Sequence, residues 1–126
     1  MENQTPAPIP TPLPLSGKIA IDDFKKVELR VGKVIKVEDF PEARKPTHKM
    51  WIDFGEFGVK PCAAQIAHAY TKEQMLGRTL ICVTNFNPRN IAGFSSEVML
   101  LAAHLDDNKL SLLQPDREVP PGKRIG

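Results

Sequence analysis

The chain has 126 residues and a mass of 14.0 kDa; 41% of its residues are hydrophobic, and 17 basic against 15 acidic residues give a net charge of +2. This length suits one modest domain, and the near-balance of charge argues against a polybasic nucleic-acid binder. No apolar run approaches the roughly 18 residues of a membrane span and no signal peptide is predicted, so we expect a cytoplasmic protein.

The small net charge conceals a local excess of basic residues. Between Lys25 and Lys49, eight basic residues stand against four acidic ones, a net of +4, which leaves −2 for the rest of the chain. A phosphate backbone responds to the charge of the surface that it meets, not to the net charge of the protein. This segment is therefore the candidate for a basic face, with a solvated strand of mixed charge as the alternative.

The first residues predict a tail. Prolines occupy every even position from Pro6 to Pro14. Because proline fixes φ and lacks an amide donor, residues 1–18 are predicted to form a flexible, extended segment before a domain at 19–126. The run contains no PxxP spacing, which favours a spacer over a ligand for SH3-type domains.

Alternation of apolar and polar residues then predicts strands. Asp22 is expected to cap a short helix through Lys26, and a long strand follows, with a bulge or bend near Gly32. A second short helix is predicted to begin at Thr71 and to end at Gly77. Strands are predicted from Val27 to Glu38 and over 49–54, 59–64, 79–84, 97–103 and 109–113, with a loop over 85–96. This order predicts an all-β protein with short helices, a five-stranded Greek-key barrel of the OB type, although other small β-barrels share it.

Basic side chains recur along the first strand, the following loop and the second strand. Arg30 and Lys36 are expected to share the polar face of the first strand. On a barrel, such side chains can form one continuous basic surface suited to phosphates. The candidates for RNA contact in this region are Arg30, Lys33, Lys36, Arg44, Lys45 and Lys49.

Aromatic residues supply a second kind of candidate. Trp51 falls on the outward, charged side of its strand, where a ring can stack on a base or mark a protein interface. The segment 85–97 offers amides, hydroxyls, an arginine and two aromatic rings, a mixture that can recognise RNA. Its Asn and Ser side chains can equally serve to hold the loop itself. Both interpretations of each feature remain open.

Patterns for catalysis or cofactor binding are absent from the sequence. Cys62 and Cys82 are too far apart for a CxxC motif and are interpreted as reduced, buried thiols. His48, His68 and His104 form no metal-binding pattern. Since neither a Gly-rich phosphate loop nor a nucleophile elbow is found, we expect no enzyme activity, no catalytic residue, no metal and no cofactor.

Several segments occur in one order that characterises a known family. They are Leu29-Arg30-Val31-Gly32-Lys33-Val34, Phe40-Pro41-Glu42-Ala43-Arg44-Lys45-Pro46, Trp51-Ile52-Asp53-Phe54-Gly55, Ala64-Gln65-Ile66, and Asn85-Phe86 through Ser95-Ser96-Glu97-Val98. Over residues 20–126 the chain resembles the tRNA-binding domain appended to methionyl-tRNA synthetases, and most closely the free-standing CsaA-type export chaperones. The stretches 43–45 and 63–65 depart from the synthetase type and favour the CsaA type.

The resemblance implies an OB-fold, a homodimer, and non-catalytic binding of structured tRNA. CsaA-type proteins are also described as chaperones of preproteins that bind the secretion motor ATPase. The family's basic segment falls on Arg44, Lys45 and Lys49. Its Asn-x-x-Pro to Ser-x-Glu segment falls on Asn85, Pro88, Arg89, Ser95, Ser96 and Glu97.

Two ligand classes, tRNA and unfolded polypeptide, follow as hypotheses. The first is tRNA, bound by a homodimer that also acts as an export chaperone. The alternatives are a dedicated polypeptide-binding chaperone for which RNA is incidental, and a stand-alone tRNA-binding cofactor of an aminoacyl-tRNA synthetase. The residues expected to hold an unfolded peptide are Trp51, Phe86 and Phe94.

Overall fold

The computed structural model describes residues 7–126, so residues 1–6 of the predicted tail lie outside it. Residues 7–20 are exposed and contain neither helix nor strand. Within the described range the elements, in chain order, are α1 Ile21–Lys25, β1 Leu29–Asp39, β2 His48–Asp53, a 3-10 turn Gly55–Phe57, β3 Val59–Ala64, α2 Lys72–Met75, β4 Thr79–Val83, β5 Arg89–Ile91, β6 Phe94–Ser96, β7 Met99–Leu100, β8 Ala102–His104, β9 Leu110–Leu112 and β10 Arg124–Ile125.

The long strand β1 organises the sheet. The antiparallel order is β3-β2-β1-β4-β7, and β10 pairs with the start of β1. The sheet curves into a nearly closed barrel, and the predicted OB-type fold is confirmed. Its core consists of side chains from β1 to β4, α2, β9 and three connecting segments: Val34, Met50, Ile52, Phe54, Cys62, Ile66, Met75, Leu80, Cys82, Val98 and Leu112.

A bulge at Ile35 divides β1 into two halves. Even-numbered residues face the core before the bulge and the outside after it. The register between β1 and β2 shifts at this point, and Ile35 is 48% exposed instead of inward as its alternation predicts. Cross-strand partners share a face of the sheet. Beyond the bulge Lys36 pairs with Trp51 on the outside, whereas Arg30 pairs with the core residue Cys82. The predicted common face of Arg30 and Lys36 is therefore wrong.

A bulge or bend is predicted near Gly32, but the register shift of β1 falls three residues later, at Ile35; Gly32 instead lies where the chain packs closely. A Cβ there would lie 2.5 Å from Cγ2 of Ile52 and 2.6 Å from Cε1 of Phe54. Side chains of the second strand thus occupy the space that any other residue would need. The glycine permits close packing of the barrel wall.

The two helices differ in how well their starts were predicted. The Thr71 hydroxyl accepts the Gln74 amide at 3.1 Å and the Gln74 side chain accepts the Thr71 amide at 2.8 Å, a complete capping box. Gly77, with φ of +82°, follows α2 as predicted. Helix α1 instead begins after Ala20, which makes no side-chain cap, so the predicted cap by Asp22 is wrong.

Three parts of the later chain differ from the prediction. The predicted loop 85–96 contains the hairpin β5–β6, which turns at Ala92 and Gly93 with positive φ at both. The predicted strand 97–103 is divided into β7 and β8. Strand β10 was not predicted, because two residues are too short a run to show alternation.

Candidate functional site

Three aromatic rings from three separate elements meet on the outer face of the sheet. Phe40 directly follows β1, Trp51 lies on β2 and Phe94 begins β6. The Phe94 ring is 5.8 Å from Phe40 and 5.7 Å from Trp51 between centroids, with interplanar angles of 70° and 85°. Edge-to-face pairs of this kind are favourable for aromatic quadrupoles. Phe94 therefore fixes the orientation of both neighbours.

Two lysines lie against these rings. The Lys36 Nζ is 4.7 Å from the Trp51 centroid, and the Lys49 Nζ is 5.0 Å from Phe40 and 5.6 Å from Phe94. Each such contact is worth about 0.5–1 kcal/mol at an exposed site. These five residues are called the aromatic–lysine surface below.

Glu38 lies between the two lysines. One carboxylate oxygen is 3.2 Å from the Lys36 Nζ and the other is 3.9 Å from the Lys49 Nζ. Lys36 and Glu38 are two residues apart on the same strand, and Glu38 is directly opposite Lys49 on β2. One carboxylate against two ammonium groups leaves a local charge of +1, which suits an anionic ligand.

The β5–β6 hairpin is held against β3 by two hydrogen bonds. The Ser96 hydroxyl accepts the Ala63 amide at 3.0 Å, and the Glu97 amide donates to the Pro61 carbonyl at 2.9 Å. Ser96 itself is buried. Because these bonds fix the end of β6, they determine where Phe94 meets Trp51.

Four further basic side chains are exposed outside the aromatic–lysine surface. Arg44 and Lys45 are exposed in the loop between β1 and β2, and Arg89 is exposed on β5. Lys33 is exposed on the outer face of β1, on the other side of the bulge from Lys36. Within residues 7–126 none of these four forms an ion pair. Their charges are available to a ligand.

Arg30 is placed elsewhere. Its Nη1 donates to the Gly122 carbonyl at 2.9 Å, its Nη2 contacts the Glu28 carboxylate at 3.0 Å, and its guanidinium lies 4.0 Å from the Phe57 centroid. The Glu28 pKa is held below its ordinary value of 4.5, chiefly by the Thr84 hydroxyl and then by Arg30. The structure thus brings Arg30 to the C-terminal strand and not to Lys36.

Asn85 and Phe86 also lie apart from the aromatic–lysine surface. Both polar atoms of the Asn85 side chain are engaged, with the Glu28 amide at 2.9 Å and the Lys26 carbonyl at 2.7 Å. Phe86 is 51% exposed and makes no ring contact with Trp51 or Phe94 within residues 7–126. Of the predicted peptide-binding rings, only Trp51 and Phe94 are brought together.

Sequence reasoning missed two members of this region, Phe40 and Glu38. Phe40 precedes Pro41 and was interpreted as part of a polar loop, yet it is buried. Alternation predicts Glu38 on the polar face of the first strand with Lys36, but it does not predict the contact of Glu38 with both lysines. The spacing of Lys36 and Glu38 along one strand was the available signal, since alternate residues of a strand share a face.

The remaining reactive groups are inaccessible or dispersed. Cys62 and Cys82 are both free and buried, as predicted, and burial raises the pKa of the Cys62 thiol to about 11 and that of Cys82 further. No group of three metal-ligating side chains is found among residues 7–126. Over the same range no helix has the length and apolar character needed to cross a membrane.

Comparison with known proteins gives consistent matches. A family model described as "Putative tRNA binding domain" matches residues 29–124. The methionine–tRNA ligases of Methanocella arvoryzae and Thermotoga maritima are 41% and 39% identical over 107 residues, which is 85% of this chain but only 15% and 16% of those enzymes. The chain thus spans about a seventh of the length of these curated relatives.

Two solved structures of chaperones match over their whole length. The chaperone CsaA from Bacillus anthracis is 40% identical with a TM-score of 0.83, and the match covers 87% of this chain and 100% of that one. The CsaA chaperone from Picrophilus torridus is 42% identical with a TM-score of 0.81, covering 86% of this chain and 100% of that one.

Proposed function

Because the chain belongs to the tRNA-binding domain family, with CsaA chaperones among its full-length structural relatives, we propose that it binds tRNA without catalysing a reaction. The binding face is the aromatic–lysine surface together with Arg44, Lys45 and Arg89. The observation that supports this choice most directly is the juxtaposition of Trp51 and Phe94 with lysines on the outer face of the sheet.

The face combines the two contributions on which RNA binding depends. Exposed Arg44 and Lys45 can neutralise phosphates and release counterions, which makes affinity fall with salt. Aromatic rings add stacking of about 1–3 kcal/mol per base, whatever its identity. Such a face recognises RNA by its backbone and by accessible bases, with little preference for sequence.

The salt dependence of tRNA binding tests this proposal. The logarithm of affinity should fall with the logarithm of salt by about 0.7–0.9 per neutralised phosphate. The double variant Arg44→Ala with Lys45→Ala should bind tRNA more weakly and reduce that slope by about 1.5, measured by fluorescence anisotropy with labelled tRNA.

A matched control separates position from charge. Lys109 and Lys123 are exposed and lie outside the proposed face, so the double variant Lys109→Ala with Lys123→Ala removes the same charge elsewhere. We expect it to retain most of the affinity and the slope. An equal loss in both double variants would remove the loop between β1 and β2 from the binding face.

A second candidate function is polypeptide binding by a homodimer, favoured by the match to CsaA chaperones over their entire chains. Its ligands would be preproteins and its further partner the secretion motor ATPase. Phe86, Leu76 and Met99 are exposed apolar side chains, at 51%, 58% and 40%. Binding through such groups should be far less sensitive to salt than tRNA binding.

Suppression of aggregation tests the second candidate. The protein should keep a chemically unfolded client in solution at high salt, and Phe86→Ser should weaken this effect while tRNA affinity stays unchanged. Light scattering at micromolar concentration should give the mass of a dimer. A monomeric mass together with no protection of the client would leave RNA binding alone.

A further inference from the structure

The two lysines of the aromatic–lysine surface differ in exposure. The Lys49 side chain is only 23% exposed and contacts two rings, Phe40 and Phe94. The Lys36 side chain is 59% exposed and lies over a single ring, that of Trp51, with Glu38 as its other partner. Lys49 is therefore packed between two rings, whereas the Lys36 side chain can move away from Trp51 into solvent.

Trp51 is held in place without Lys36. Its edge-to-face contact with Phe94 and its position within the β1–β2–β3 ladder, between Lys36 and Pro61, fix the indole. The side chain is nevertheless only partly buried. Removal of the Lys36 ammonium would therefore expose an oriented indole, as a stacking partner requires.

An RNA base can displace the Lys36 ammonium from the Trp51 ring at a net gain in contact energy. The contacts that Lys36 would lose, one cation–π contact and one exposed ion pair, are both weak because water screens them. A base stacked on the indole replaces the first contact with a stronger one. The freed ammonium, on its long and flexible stem, can reach a phosphate of the same strand.

We infer that Trp51 is a stacking platform for an unpaired base and that Lys36 is its displaceable cover. This inference rests on the proposed RNA-binding function and deepens it by naming the part of the ligand that is recognised. A base within a duplex is already stacked on both faces and cannot reach the indole. The ligand is therefore RNA that presents a single-stranded base, such as one in a loop or at an end.

The single tryptophan of the chain makes the exchange directly measurable. Two probes are compared, an oligoadenylate of about twelve nucleotides and a blunt RNA duplex of about twelve base pairs. Anisotropy of a label on the RNA reports binding, and Trp51 emission reports stacking. The oligoadenylate should quench the emission, while the duplex should leave it nearly unchanged even when bound.

Substitutions then assign the roles. Trp51→Leu should weaken oligoadenylate binding about tenfold and duplex binding less than about twofold, and Trp51→Phe should restore most of the lost affinity because it keeps a ring. Lys36→Met should preserve the quenching and reduce the salt slope by about one phosphate. Lys109→Met is the matched control, because Lys109 is exposed outside the proposed face, and it should change neither the quenching nor the salt slope.

Each outcome supports or overturns a specific statement. Oligoadenylate binding without quenching, or equal losses for both probes in Trp51→Leu, would overturn the stacking platform while leaving RNA binding intact. If Lys36→Met abolished the quenching, Lys36 would be a support for the ring and not its cover. If neither probe bound and tRNA also failed to bind, the proposed function itself would be wrong and this inference with it.

Discussion

Two clusters in this barrel are built from the same three components: a cation, an aromatic ring and a carboxylate. Where β1 pairs with β10, Arg30 lies 4.0 Å from the Phe57 centroid and 3.0 Å from Glu28. On the outer face, Lys36 lies 4.7 Å from the Trp51 centroid and 3.2 Å from Glu38. The Arg30 side chain is 14% exposed and that of Lys36 is 59% exposed.

The difference shows how burial and additional bonds determine the role of a contact. Arg30 also donates to the Gly122 carbonyl, so its charge is used within the fold and fastens β10 to β1. Within residues 7–126 Lys36 has two partners, Trp51 and Glu38, both accessible to water. The same three components therefore stabilise the fold around Arg30, whereas around Lys36 their contacts can be replaced by contacts with a ligand.

The largest expected loss of stability follows from substitution of Gly122, whose carbonyl accepts a hydrogen bond from Arg30. Its φ is +93°, and a Cβ there would lie 2.4 Å from the Phe54 carbonyl oxygen. Gly122→Ala combines an unfavourable backbone conformation with a backbone clash and should lower the free energy of unfolding by about 4 kcal/mol. Urea unfolding followed by circular dichroism measures this loss.

Gly58→Ala is the control for that variant. Gly58 has a similar φ of +87°, but nothing lies within 4 Å of a Cβ built there. Its ψ of −173° completes a backbone conformation that is nearly confined to glycine, so only the conformational cost of about 1–3 kcal/mol should appear. Equal losses in the two variants would mean that the clash with the Phe54 carbonyl adds nothing to the conformational cost.

Exchange of each cation for methionine compares the clusters directly. Arg30→Met removes hydrogen bonds to Glu28 and Gly122 and should cost about 2 kcal/mol of unfolding free energy with tRNA affinity unchanged. Lys36→Met removes one exposed ion pair and should cost less than about 0.5 kcal/mol. The pair of variants is measured by urea unfolding and by tRNA anisotropy, and a weaker tRNA complex in Arg30→Met would contradict the separation.

Local sequence signals predicted most of the barrel. Alternation on β2 placed Met50 and Ile52 inside and Trp51 outside, and Thr71 and Gly77 marked the limits of α2 correctly. The bulge at Ile35 was only partly predictable. A glycine indicates a bend, but which residue becomes the extra one depends on pairing with β2, which a single strand does not encode.

The site was harder to predict because its parts come from distant segments. The charge count identifies the basic region, and the alternation of the second strand identifies Trp51 as an outward-facing ring. Neither could place Phe94 against Trp51, since that contact depends on a hairpin whose three-residue strands are too short to show alternation. Uninterrupted alternation predicts that Arg30 and Lys36 share a face of the strand. The bulge at Ile35 interrupts the alternation between them.

The smallest effect concerns the acid stability of the Arg30 cluster. The Thr84 hydroxyl is the main cause of the lowered Glu28 pKa, with Arg30 second. Ionisation of Glu28 therefore contributes stability that is fully present above pH 4.5 and is lost as the pH falls through its lowered folded pKa. Thr84→Val should return the Glu28 pKa toward 4.5 and remove part of that contribution.

The pH dependence distinguishes this linkage from a simple loss of packing. The difference in unfolding free energy between the unmodified chain and Thr84→Val should be smallest at pH values below the lowered Glu28 pKa, should grow as Glu28 ionises, and should be constant from about pH 6 to 7. Urea unfolding across this range measures it. A difference that does not vary with pH would show that the Thr84 hydroxyl acts through the Glu28 backbone carbonyl, 3.3 Å away, and not through the carboxylate.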